Sequence, residues 1–232
     1  MKKFLLFSVL VFVSSCTGSW NYEGRGAPKN WGDLKEEFKF CKIGYNQSPI
    51  NVTSQFVENE LKFSYNNSDV EKQRVDHVMQ IIYDSKNLVL RGKKKYFLRK
   101  IEFHHPSEHL VNGEASSMEM QIYHKSEDEQ WLALAVFMEI GQENLEIKNI
   151  IKLLQSKEKQ GKLDLSKIIK EKDQIFFYDG SFTTPPCKEG VKWYVMKTLI
   201  TVSKEQMNQI IKLGIFAKSN ARPVQEFHPE KY

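Results

Sequence analysis

The sequence predicts a mainly β protein, built as a large, mostly antiparallel twisted sheet with short helices at its periphery. Three observations carry that expectation. Five successive stretches in the middle of the chain alternate apolar and polar residues with period two. Only two stretches have helical spacing, and no repeat, low-complexity block or Pro/Gly-rich linker interrupts residues 20–232. A domain of that length buries a substantial core, and one domain is the simplest organisation.

Taken in order, the chain opens with "MKKFLLFSVLVFVSSC", which has two lysines, an apolar run from Phe4 to Val13, and small residues before Cys16. The run is too short to span a bilayer and is built like an export signal over residues 1–15. Small residues immediately before a cysteine resemble a bacterial lipobox, which makes Cys16 the expected lipidated N-terminus and residues 16–19 a short tether. The alternative is a plain signal peptide cleaved near Ser15. No acidic residue follows Cys16 directly, so the expected location is the outer membrane, at its periplasmic face or surface.

The strands follow. "VMQIIYD" (78–84), "NLVLRG" (87–92), "KYFLRKIEFH" (95–104), "SMEMQIYHK" (117–125) and "WLALAVFMEIG" (131–141) each read as a strand with one buried face. Leu145, Ile147, Ile150, Ile151, Leu153 and Leu154 mark a first helix. "SKEQMNQIIKLGIF" (203–216) marks a second, with Ser203 as N-cap, Gln206 at the third helical position and Gly214 near its stop. The lysine-dense stretch Lys152 to Lys172 also holds Glu and Asp, which suits an exposed helical face.

Hydrophobic residues form 41% of the chain, charged residues 27%, and the net charge is +5. This is ordinary globular composition. No Arg/Lys cluster is interleaved with aromatics, so no nucleic-acid partner is expected. The chain has three cysteines. If Cys16 carries lipid, Cys41 and Cys187 form an even set in an oxidising compartment, and one disulfide between them is the economical inference.

The chemistry concentrates in "IEFHHPSEH" (101–109). A strand bearing Glu102 and His104 turns both side chains to one face, and Gln121 stands on another strand of the same sheet. Two positions at i and i+2 with a third from a neighbouring strand can present three metal ligands. On the bare residues the plainer reading is stronger, with "HH" as a polar strand end and His104 as a satisfied core histidine.

The wider context adds to this. "WNYEGRGAPKNW" (20–31), "CKIGYNQSPINV" (41–52), "PSEH" (106–109), "GSFTTPPC" (180–187), "VKWYV" (191–195) and "NARPVQ" (220–225) occur in this order. Together they resemble the α-class carbonic anhydrases of bacteria, including the cysteine pair Cys41 and Cys187. The resemblance covers residues 20–232 and implies that family's fold.

It also implies a zinc site, and here the sequence departs. Alignment through "PSE" places Glu102, His104 and Gln121 at the three positions where the family has histidines. Lys100 stands where the family has a glutamine that orients the first ligand. It shares a strand face with Glu102, so an ion pair is expected there. Glu119 matches the carboxylate that orients the third ligand and is expected to hold the Gln121 amide, leaving the Gln121 oxygen turned into the site. His105 faces the other side of the strand. By the same resemblance, Glu108 and Thr183 are a hydrogen-bonded catalytic pair and His77 is the proton-shuttle histidine. Thr184 and Trp193 match pocket walls. Tyr123 and Phe182 replace smaller aliphatics and Ala133 is smaller than usual, so the pocket is expected to be reshaped. A cis bond before Pro186 is implied as well.

Three readings stand open. The first is a catalytically silent, lipid-anchored protein that binds an unidentified protein or small molecule. The second is a weakened or differently metallated hydrase or esterase acting on CO2 and bicarbonate. The third is a structural relic with a filled cavity. The first leads, with no cofactor expected and zinc only if the site is functional.

Overall fold

In the computed structural model, residues 19–228 are described apart from 54, 59, 76, 85, 170–172 and 215–217. The expectations for the leader and for Cys16 therefore lie outside the described residues. A central sheet carries the architecture. Its main strands are β1 (Ser68–Val75), β2 (Val78–Tyr83), β3 (Lys94–His104), β4 (Met118–Lys125), β5 (Trp131–Ile140), β6 (Gln174–Ser181) and β7 (Glu189–Met196). They lie side by side in the order β1-β2-β3-β4-β5-β7-β6. Pairing is antiparallel except where β5 runs parallel to β7 and to the short strand Ile200–Val202. The mainly β expectation holds.

Period-two alternation divides the two faces of the sheet. Ile101, Phe103, Met118, Met120, Ile122, Leu132 and Leu134 point to one face. There they pack against α1 (Leu145–Gln155) and α2 (Lys204–Gly214) in one buried cluster. Helical spacing puts Ile147, Ile150, Ile151 and Leu154 of α1 on the sheet, each contributing about 1.5–3 kcal/mol by burial. Asn144 caps α1 through the Glu146 and Ile147 amides. Ser203 caps α2 at the Gln206 amide while Gln206 Oε1 accepts from the Ser203 amide, a reciprocal box that matches the sequence pattern.

One expectation is corrected. In the lysine-dense stretch the α-helix ends at Gln155; Gln160–Leu163 is an edge strand pairing with β1, and Leu165–Lys167 is a single 3-10 turn. Ser156 turns extended, and Lys72 Nζ donates to the carbonyls of Leu153, Leu154 and Ser156. That ammonium satisfies the open end of α1 and complements its dipole, so the helix stops there.

The opposite face of the sheet carries a second cluster, including Tyr123, Ala133, Ala135, Phe137, Tyr178, Val191 and Trp193. Gly180 is required where β6 crosses it, because a Cβ there would lie 2.2 Å from Ser48 Oγ. The expected disulfide joins Cys41 to Cys187. Peptide bonds before Pro49, Pro106 and Pro186 are cis, the last as expected.

Candidate active-site cleft

Register brings the site together on that second face. Across adjacent strands Glu102 stands opposite Gln80 on one side and Gln121 on the other, while Lys100 stands opposite Tyr123. Tyr123 in turn faces Ala133, so the smallest residue of the wall sits beside one of its large aromatic rings. In the sequence these were separate departures; in the sheet one makes room for the other.

Glu102 is 1% exposed, and its Oε1 accepts from Lys100 Nζ at 2.7 Å and Gln80 Nε2 at 2.5 Å. The expected ion pair is present. The Lys100 ammonium also lies 4.7 Å from the centre of the Tyr123 ring and 5.6 Å from that of Phe182. Those two rings stack at 5.4 Å, and Trp131 meets Phe182 edge-on. A carboxylate and two ring faces thus surround one ammonium, an ion pair joined to cation–π contacts.

Gln121 is fully buried, and both ends of its amide are engaged. Its nitrogen donates to Glu108 Oε2 at 2.7 Å and Glu119 Oε1 at 2.9 Å. Its oxygen accepts from the Tyr123 hydroxyl at 2.6 Å, with the Thr183 hydroxyl at 3.4 Å. The expected Glu119–Gln121 contact is therefore present. The oxygen expected to face an open site is instead taken by Tyr123, because the side chain at that position is long enough to reach it.

His104 differs from its neighbours. Its Nδ1 is 2.9 Å from the Asn220 carbonyl, which can only accept, so Nδ1 carries a proton. Nε2 is buried and has no hydrogen-bond partner. At Glu102, by comparison, both hydrogen bonds fall on Oε1. Among the described residues, no group of three or more His, Cys, Asp or Glu is arranged to hold a metal ion.

The two glutamates beside Gln121 titrate in opposite directions. Burial pushes Glu108 up, further aided by Glu119, against opposition from His104 and from hydrogen bonds of the Arg222 amide and Thr183. Burial would also raise Glu119, but the charge and hydrogen bonds of His109, with the Gln121 amide, hold it below the usual carboxylate range. The hydrogen bond that the structure gives the Thr183 hydroxyl runs to Gln121 Oε1 at 3.4 Å.

Other predicted residues border this network. His77 is half-buried and meets the Trp20 ring edge-on at 5.5 Å, and Trp193 packs against Tyr123 with ring centres 5.7 Å apart. Trp193 Nε1 donates to the Ser181 carbonyl, and the Thr184 carbonyl accepts from the Cys187 amide to close the turn. His105 turns away to the Ser117 carbonyl, as its strand position requires.

A match to the family model for eukaryotic-type carbonic anhydrases spans residues 26–231. The chain belongs to that family. It is 33% identical to a carbonic anhydrase of Neisseria gonorrhoeae over 95% of this chain and 91% of that one. Its fold matches the α-carbonic anhydrase of Thermovibrio ammonificans in complex with sulfanilamide, with a TM-score of 0.80 and 32% identity over 91% of this chain and 96% of that one. It also matches dioscorin complexed with ascorbate, with a TM-score of 0.81 and 29% identity over 90% and 94% of the two chains.

Within this carbonic anhydrase fold, several residues that shape the cleft escape sequence reasoning. Gln80 reaches Glu102 only through strand pairing, although its place two residues after Val78 on an alternating strand signals the correct face. Asn220 and Arg222 were visible only as part of a motif. Asn220 holds His104 and His105; Arg222 donates its amide to Glu108 at 2.8 Å and its guanidinium to Gln47, Ser48 and Cys41. Tyr22, whose buried hydroxyl has no hydrogen-bond partner, feels the charges of Glu108 and Glu102. No spacing in the sequence could join residues so far apart.

Proposed function

We propose that this carbonic anhydrase-family protein does not hydrate CO2 through zinc and acts instead by binding a ligand or partner, as an exported protein held to a bilayer by lipid on Cys16. The observation that carries the reading is the double commitment of Gln121, which donates to two buried carboxylates and accepts from Tyr123.

Carbonic anhydrase chemistry rests on zinc held by three histidine nitrogens, which brings the pKa of a bound water near 7. The residues here do not fit that ion. Glu102 is neutralised by Lys100, whose ammonium would repel a divalent cation at the same carboxylate. Freeing the Gln121 oxygen would cost its Tyr123 hydrogen bond and gain only a neutral donor. His104 alone is not a site. A binding role draws support from dioscorin, a protein of similar fold solved with ascorbate, a small polar molecule.

A second reading, a weak hydrase, is favoured by one observation: His104 Nε2 is buried and lacks a partner. Metal analysis of the exported full chain after exposure to zinc, followed by a CO2-hydration assay, separates the two. The expected result is zinc far below one per chain and no hydration above buffer. One tightly held zinc per chain with measurable hydration would overturn the proposal.

A further inference from the structure

The short helix Phe40–Ile43 buries Cys41 and turns its neighbours outward. Phe40 is 44% exposed, Ile43 68% and Tyr45 44%, so three large side chains with apolar surface reach water within six residues. Tyr45 stacks on His228 with ring centres 4.0 Å apart. Lys39 and Lys42 flank the apolar residues and are paired with Glu36 at 2.9 Å and Asp33 at 2.8 Å.

This surface is fixed in place. The Cys41–Cys187 bond fastens the helix to the body, and Arg222 donates to the Cys41 carbonyl at 2.9 Å. The Gly44 amide closes on the Phe40 carbonyl, and the Asn46 amide donates to Glu189. Apolar side chains held outward on a stapled platform mark a contact surface more strongly than scattered ones do.

The course of the chain identifies what covers it. Trp20 is buried in the same cluster as Phe38 and Cys41, so the chain enters the fold beside the platform. Cys16 precedes Trp20 by four residues, a reach of at most about 14 Å. A lipid on Cys16 therefore keeps the bilayer within reach of Phe40 and Ile43.

We propose that Phe40, Ile43 and Tyr45 form a membrane-resting face, with their side chains in the interfacial layer. Aromatic and aliphatic side chains are the composition that suits that layer. A second copy of the chain is the poorer occupant, because a lipid on Cys16, four residues before the buried Trp20, already holds this face beside a bilayer. The proposal rests on lipid attachment at Cys16.

The test uses the full exported chain on vesicles of phosphatidylglycerol and phosphatidylethanolamine. Intact mass reports lipid on Cys16, and hydroxyl-radical footprinting reports side-chain exposure against the exposed references Ile140 and Leu145. The comparison is the same protein released from the vesicles by cleavage before Trp20. We expect lipid on Cys16 and labelling of Phe40, Ile43 and Tyr45 lowered about fivefold on vesicles, with the references unchanged. An Ile43→Asp variant should stay anchored yet regain labelling at Phe40. A lipid-bearing protein labelled equally in both states would overturn the docking face and leave the anchor standing. Absence of lipid on Cys16 would overturn both. Protection that persists in concentrated, vesicle-free protein would assign the face to a second copy and overturn the proposal.

Discussion

Lys100 Nζ lies 2.7 Å from Glu102 Oε1, with the lysine side chain 18% exposed and the glutamate 2%. The pair lies on the strand face that also carries His104, so an ammonium supplies the positive charge at a buried carboxylate there. Breaking it from one side leaves a buried carboxylate held mainly by Gln80. Lys100→Met is expected to cost about 3 kcal/mol, the low end for a buried pair because the amine keeps some solvent. A Lys100→Met/Glu102→Gln double variant should recover most of that. Urea denaturation checks both, and a single variant as stable as the parent would sink the idea that the pair is desolvated.

The amide of Gln121 separates Glu108 from Glu119, and replacing it with an acid should produce a pH-dependent protein. In Gln121→Glu a third carboxyl sits between two others, so its folded pKa lies above the unfolded value of about 4.3. A raised folded pKa contributes stability below the unfolded value, and that contribution is lost as pH rises through the folded one. Thermal melts of the variant should therefore fall relative to the parent between pH 5 and 8. Parallel melting curves across that range would refute it.

His124 should make the parent protein acid-sensitive. Its Nε2 lies 2.8 Å from the Tyr65 hydroxyl, and burial lowers its pKa to about 3. A depressed folded pKa means that unfolding takes up a proton below about pH 6.5, so stability is lost as pH falls from there. The slope is about 1.4 kcal/mol per pH unit for one group, or about 2–3 kcal/mol by pH 4.5. His124→Gln should flatten the curve of unfolding free energy against pH over that interval, whatever its baseline cost.

Restoring metal ligands tests whether the scaffold beneath them is intact. A Lys100→Gln/Glu102→His/Gln121→His variant is expected to take up about one zinc per chain, because His104 is already held with Nε2 free. Hydration should stay low until Tyr123 and Phe182, stacked at 5.4 Å, are also reduced in size. Failure to bind zinc would mean that the strands themselves have moved.

The Cys41–Cys187 bond closes a loop with a sequence separation of 146. Chain-entropy reasoning assigns such a loop about 4–5 kcal/mol. Cys41→Ser/Cys187→Ser should lower the urea midpoint accordingly. It should also release the platform bearing Phe40 and Ile43, visible as faster amide exchange at residues 39–46.

Much of the fold and the site was legible in the residues alone. Alternation from Val78 to Ile140 marks the strand faces, which by itself puts Lys100, Glu102 and His104 on one side and His105 on the other. The Ser203–Gln206 box marked the start of its helix because capping is local chemistry. The lysine-rich segment after Gln155 misled because charge density does not distinguish a helix from an edge strand; a lysine from β1, Lys72, ends that helix. Sequence by itself determined what depends on neighbours a few residues apart: strand faces, caps, and which side chains share a face with Glu102. Only the tertiary structure decided that Gln80 closes on Glu102, that Tyr123 takes the Gln121 oxygen, and that His104 Nε2 is left alone. The reason is physical. Those contacts join groups from different strands, set by sheet register and side-chain length, and no periodicity along one strand encodes which atom of a neighbouring strand it will meet.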